Sequence, residues 1–294
     1  MTASASTASV VWDVGYSSWM VLQQHPARAT VSGTVHFQAG GSSLASPFFL
    51  SVTGMQEHYN VTTDLIALGA GSNRFSFRAM LNPTQSGADY TISVMLGDGS
   101  APDGAVLRHV AFGDVWLCSG QSNMLLPLRN TFSRNRTVDA IRRGKYGNIR
   151  IAGGKMASTH RHGSSRMQWL SARASLSGGN ASAPEYPLFD FCSTCWYFGE
   201  ALTDAFAGDS RPPPPIGLIC AGADGSEIEQ LAPRGSLSKE CAHAGVAPRL
   251  NEGSVFTAEL LPLVGMSLKG WLFHQGEFNV RTNAVSGNSE AGLG

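Results

Sequence analysis

The chain has 294 residues, 43% hydrophobic and 14% charged, with 34 glycines and 21 basic side chains balanced by 21 acidic ones. Charge is well below the roughly 25% of an average soluble domain and glycine well above its ~7%, which suits a loop-rich, well-buried chain and excludes a disordered one. No run approaches roughly 18 consecutive apolar residues, so an apolar membrane-spanning helix is excluded, and the length suggests two compact units.

From Val10 to about Val110 the signals are those of β structure. Candidate strands run from Thr30 to Phe37, Phe48 to Val52, Arg74 to Arg78, where Phe75 and Phe77 alternate with polar residues, and Tyr90 to Leu96. Gly, Ser, Asn and Pro turns separate them, and residues 1–110 read as a small all-β domain. Beyond it the pattern changes. Phe112 to Cys118 is followed by SGQSNM, Ile216 to Cys220 by AGADGSEIE, and Gly270 to His274 by QGEFN. Short, continuously apolar strands ending in polar, Gly-bearing loops mark a parallel sheet covered on both faces, whose ligands bind at the carboxyl ends of the strands. This predicts an α/β domain over residues 111–279, three strand-end loops as its candidate site, and a Gly/Ser-rich tail at 280–294.

Charge is uneven along the chain. Residues 129–173 hold eleven basic side chains and one acidic, net +10, against −3 for residues 1–128 and −7 for residues 174–294. Arg129, Arg134, Arg136, Arg142, Arg143, Arg150, Arg161 and Arg166 make this stretch a candidate anion site, because guanidinium forks match carboxylate or phosphate; a solvated surface face explains the same pattern. Aromatic interleaving is thin, so no nucleic-acid partner is expected.

The five cysteines are odd in number, in a chain too large to need a disulfide framework, and leave the redox compartment open. Cys192 and Cys195 form a CxxC, but Cys195, Phe198, Gly199, Leu202 and Phe206 recur at helical spacing, which favours helix packing over redox chemistry. His160 and His162 lack a third ligand nearby, so no metal is expected. Three sequons (Asn60-Val-Thr62, Asn135-Arg-Thr137, Asn180-Ala-Ser182) lean slightly toward secretion, whereas the opening MTASASTASV has neither the basic start nor the apolar run of a signal peptide.

The segment Gly113 to Met124 carries the most chemistry. A Ser at the turn between a buried strand and a following helix exposes its hydroxyl beside backbone N–H groups, which suits a nucleophile with an oxyanion hole; an ordinary βα turn with Gly120 and Ser122 as turn and cap residues accounts for the same string. FGDVWLCSGQSNM resembles the nucleophile block of the sialate O-acetylesterases, within the SGNH (GDSL-like) hydrolases. Trp19-Met-Val-Leu-Gln23 resembles the DMVLQ string of that family's N-terminal β domain. CWYFGEAL from Cys195, PIGLICAGADGSEIE from Pro215 and LKGWLFHQGEFN from Leu268 follow in the family's order, so the resemblance runs from about residue 12 to 279.

The resemblance implies a three-layer α/β/α domain, incomplete here, behind a small all-β domain. It implies a serine esterase acting on O-acetyl sialic acids or other acetylated carbohydrates, with no metal or cofactor. Ser122 matches the nucleophile, and its N–H the first oxyanion donor. Gly225 matches the second backbone donor, although this chain has Asp224-Gly225 where the family has two glycines; Gln275 matches a side-chain amide donor. Gln121, Asn123, Glu277 and Asn279 are supporting residues, with Glu277 read as a loop anchor. Arg129 and Arg134 are candidates to hold a sialic acid carboxylate. The family takes its general base from a DxxH motif after the QGE block, but no Asp stands three before any of the eight His residues, and Glu240 and His243 form the sole acidic-x-x-His pair. The expectation is a C-terminally truncated member, nearly inactive because a serine hydroxyl without a base is a weak nucleophile. The alternative is a carbohydrate-binding pseudoenzyme.

Overall fold

In the computed structural model, residues 8–38, 48–55, 57–154, 167–177, 186–208, 212–236 and 251–280 are described. Strands β1 (Ala8–Trp12), β2 (Val21–Gln23), β3 (Thr30–Phe37), β4 (Phe49–Thr53), β5 (His58–Thr62), β6 (Leu65–Ala67), β7 (Arg74–Met80) and β8 (Gly87–Met95) fill the first part of the chain. Four of them form an antiparallel sheet in the order β1-β3-β7-β6. The period-two alternation in β7 explains its seat: Phe75, Phe77 and Ala79 are buried against Val31 and Val35, while Arg74, Arg78 and Met80 face outward.

One long strand, β9 (Val106–Gly120), ties this part to the rest. Its first half pairs antiparallel with β8 and parallel with β2. Its second half lies parallel between β12 (Ile216–Gly222) and β13 (Gly270–His274). Next to β12 comes β10 (Ile149–Gly153), also parallel, and then the short β11 (Leu170–Ser171). The boundary expected at residue 110 thus falls inside a continuous strand.

The parallel strands read as unbroken apolar runs because both faces are covered. Cys118, Ile149, Ile151, Ile216, Leu218 and Cys220 pack in one cluster with residues of α1 (Arg134–Arg142) and α2 (Ser193–Gly208). Val115, Leu117, Ala152, Ile219 and Ala221 belong to the other cluster, with the N-terminal strands and Leu231, Val255, Leu260 and Leu263. The second covering layer is therefore mostly strands and short helical turns, rather than the helices expected. α3 (Ile228–Leu231) is a single turn because Ala232 precedes Pro233, and a proline disfavours helical backbone in the residue before it.

The CxxC reading is corrected in one respect. The helix is there, with Cys195 and Gly199 on its buried face, but its cysteines are cross-linked to strands: Cys118 to Cys195 and Cys192 to Cys220, with Cα atoms 5.9 and 6.3 Å apart. Gly199 permits this close seat, since a Cβ there would stand 2.7 Å from the Leu218 side chain.

Candidate active site

Three parallel strands end side by side. Gly120 is in register with Gly222 of β12 and with His274 of β13. Both glycines have positive φ, and a Cβ on Gly120 would overlap the His274 carbonyl oxygen while one on Gly222 would overlap that of Gly120. Glycine is what lets three backbones converge here.

Ser122 lies two residues past the end of β9 and is exposed. Its Oγ donates to Gln121 Oε1 at 3.1 Å. Gln121 is buried; its backbone N–H donates to His274 O at 3.2 Å and its side-chain amide to Glu277 Oε2. Asn123 donates its amide to the other carboxylate oxygen, Oε1, and His274 Nε2 approaches that same oxygen at 3.1 Å. Glu277 thus draws the first and third loops together. The Asn123 and Gln121 amides hold its carboxyl far below the usual range, at about 2, so it is an ionised anchor at ordinary pH.

The other matched residues knit the second and third loops. Gln275 Nε2 donates to Ser226 O at 2.9 Å and to Asn279 Oδ1 at 3.3 Å, so its amide protons bind loop atoms and not Ser122. Asn279 Nδ2 donates to Glu229 Oε2 at 2.8 Å, and its Oδ1 accepts from the Ile228 N–H at 3.0 Å. Gly225 turns the second loop with φ +67°, Phe278 lies 3.8 Å from where its Cβ would be, and Asp224 is exposed. The backbone N–H groups of Ser122 and Gly225 donate to no described residue.

Several expectations meet a different arrangement. No helix begins at Ser122: Leu128–Asn130 is a 3-10 turn and α1 starts at Arg134, because buried Met124, Leu125 and Leu128 carry the chain across the α2 end of the domain first. Arg129 pairs with Asp190, and Arg134 donates to Thr131 O at 2.9 Å, so both candidate carboxylate holders are committed to the protein itself. Arg150 is buried, donating to the carbonyls of Trp19, Met20 and His109 and stacking 5.4 Å over the Trp19 ring. His160, His162, Glu240 and His243 lie outside the described residues. Among the described residues no three metal-ligand side chains cluster. His274 was not foreseen; its signal was its place three residues before Glu277, directly ahead of the QGE block.

These features define a mixed α/β protein with its candidate site at the carboxyl edge of a parallel sheet, and the same fold occurs in a solved carbohydrate acetylesterase from Xanthomonas citri. That structure superposes with a TM-score of 0.60 at 20% identity, over 92% of this chain and 52% of the other. No family model matches the chain. By sequence it is related to the sialate O-acetylesterases: those of Homo sapiens and Pongo abelii are each 27% identical over 277 residues, covering 90% of this chain and 48% of theirs. The chain therefore spans about half the length of the curated relatives it matches. No described helix is long and apolar enough to cross a membrane.

Proposed function

We propose that this chain carries a serine esterase site of the SGNH type that removes acetyl groups from acetylated carbohydrates, with Ser122 as nucleophile. One observation carries the reading: an exposed Ser122 hydroxyl at the carboxyl edge of the parallel sheet, with the N–H groups of Ser122 and Gly225 left uncommitted among the described residues. Such groups are what an oxyanion requires. Ser122 Oγ bonds to the acetyl carbonyl carbon as its proton passes to a base, and the carbonyl oxygen becomes the oxyanion. The sugar oxygen leaves with that proton, and water then releases acetate from the acyl-serine by the same steps. Gln121, Asn123 and Glu277 hold the nucleophile loop, while Gln275 and Asn279 hold the loop bearing Gly225. The names of the relatives make O-acetylated sialic acid the first substrate to test. Residues 1–110 and 111–279 act as a β unit and an esterase unit sharing β9.

A second reading, a carbohydrate-binding pseudoenzyme, is favoured by the bond that Ser122 Oγ makes among the described residues: its acceptor is an amide oxygen, not a base. The two are separated by a fluorophosphonate probe followed by peptide mapping. The esterase reading expects an adduct on Ser122. No adduct on folded protein that still binds an acetylated sialoside saturably supports the pseudoenzyme instead.

A further inference from the structure

A cavity of about 520 Å³ opens between α1 and α2, within the helical layer. It lies apart from Ser122. Thr194, in the first turn of α2, touches Asn123 O, whereas the cavity is lined by residues from Tyr197 to Asp204, which places its middle roughly 10 Å further along the helix at 1.5 Å per residue. It belongs to the basic stretch that the esterase site leaves unused.

Two of its guanidinium groups are uncommitted. Arg136 and Arg143 are exposed, and among the described residues neither side chain makes a hydrogen bond or ion pair, in contrast to Arg129 and Arg134. The cavity's other cation, Lys145, is already paired with Asp204 at 3.1 Å. Opposite stands Glu200, 7% exposed, whose Oε1 accepts from Thr137 Oγ1 and Trp196 Nε1, both at 2.7 Å. Its Oε2 has no donor among the described residues. Half-buried Tyr197 adds an aromatic wall. The cavity thus offers two guanidinium groups for an anionic group, an acceptor for hydroxyl donors, and a ring for an apolar face, at a size suited to a small ligand.

We infer that the α1–α2 cavity is a non-catalytic binding site for an acidic sugar, its carboxylate held by Arg136 and Arg143 and a hydroxyl donated to Glu200. A bare anion would leave Glu200 unmatched, and a neutral sugar would leave both guanidiniums unmatched. The inference stands apart from the esterase reading, since neither Ser122 nor an acetyl group takes part.

The test is NMR titration of the full chain carrying Ser122→Ala with D-glucuronic acid, beside D-glucose and inorganic sulfate. Glucuronate should bind saturably at one site, more tightly than glucose or sulfate. The double variant Arg136→Gln/Arg143→Gln should weaken it by at least about tenfold, the scale of a lost charge-assisted pair. Arg134→Gln, which removes a guanidinium already spent on Thr131, should leave it unchanged. Absence of glucuronate binding, equal binding of sulfate or glucose, or undiminished affinity in the double variant would each overturn the inference. Ser122, Arg136 and Arg143 lie at the surface and Arg134 is half-buried, and circular dichroism checks that the variants are folded.

Discussion

The two disulfides set the frame that presents Ser122, and their removal has a calculable effect. Cross-linking removes roughly 2.1 + 1.5R ln n cal/mol/K of entropy from an unfolded loop of n residues. For the 77-residue separation of Cys118 and Cys195 this amounts to roughly 4.5 kcal/mol at 25 °C, and for the 28-residue separation of Cys192 and Cys220 to roughly 3.6 kcal/mol. All four cysteines are buried, so Cys→Ala avoids leaving an unpaired hydroxyl inside. Urea unfolding followed by tryptophan fluorescence should show Cys118→Ala/Cys195→Ala losing more stability than Cys192→Ala/Cys220→Ala. Alkylation of the denatured, unreduced protein should leave Cys118, Cys192, Cys195 and Cys220 unmodified. A loss under about 1 kcal/mol for either pair, or alkylation of all five cysteines, would refute the assignment and the entropic reasoning built on it.

Gly120→Ala drives a methyl group into the His274 carbonyl and should cost roughly 1–3 kcal/mol, the range of overpacking, read as a lower thermal midpoint; an unchanged midpoint would show that β9 and β13 do not converge there. Glu277 has a folded pKa of about 2 against an ordinary 4.5, so its contribution is fully present above about pH 4.5 and lost as pH falls toward 2. Over that window the stability of Glu277→Gln should vary less with pH than that of the unaltered protein, and parallel profiles would contradict the anchor role. Trp271 and Phe273 lie 53% and 46% exposed on β13, which has β9 as its partner among the described residues. Trp271→Ser/Phe273→Ser should reduce binding of an apolar dye while moving stability by no more than about 0.5 kcal/mol; undiminished dye signal would place the apolar patch elsewhere.

Much of this architecture was legible because local patterns report local burial. Alternation in Arg74 to Arg78 located β7, and the apolar runs before SGQSNM, AGADGSEIE and QGEFN located the strands whose ends converge. β10 was not foreseen, because Arg150 at its second position reads as surface charge, and only the fold brings three carbonyls to its guanidinium. Pairing of cysteines far apart in the chain likewise depends on which strand lies under which helix turn. In the site, motif position named Gln275, but a motif does not state which way an amide points. Its bonds to Ser226 and Asn279 come from the second and third loops meeting. The same holds for Arg129, whose charge looked available until Asp190 was placed beside it.

The most direct test of the central claim is acetate release from an O-acetylated sialic acid by the full chain, measured beside Ser122→Ala. Release should be saturable, and the variant should fall to the solvent rate. Equal release by the two folded proteins would contradict Ser122 as nucleophile.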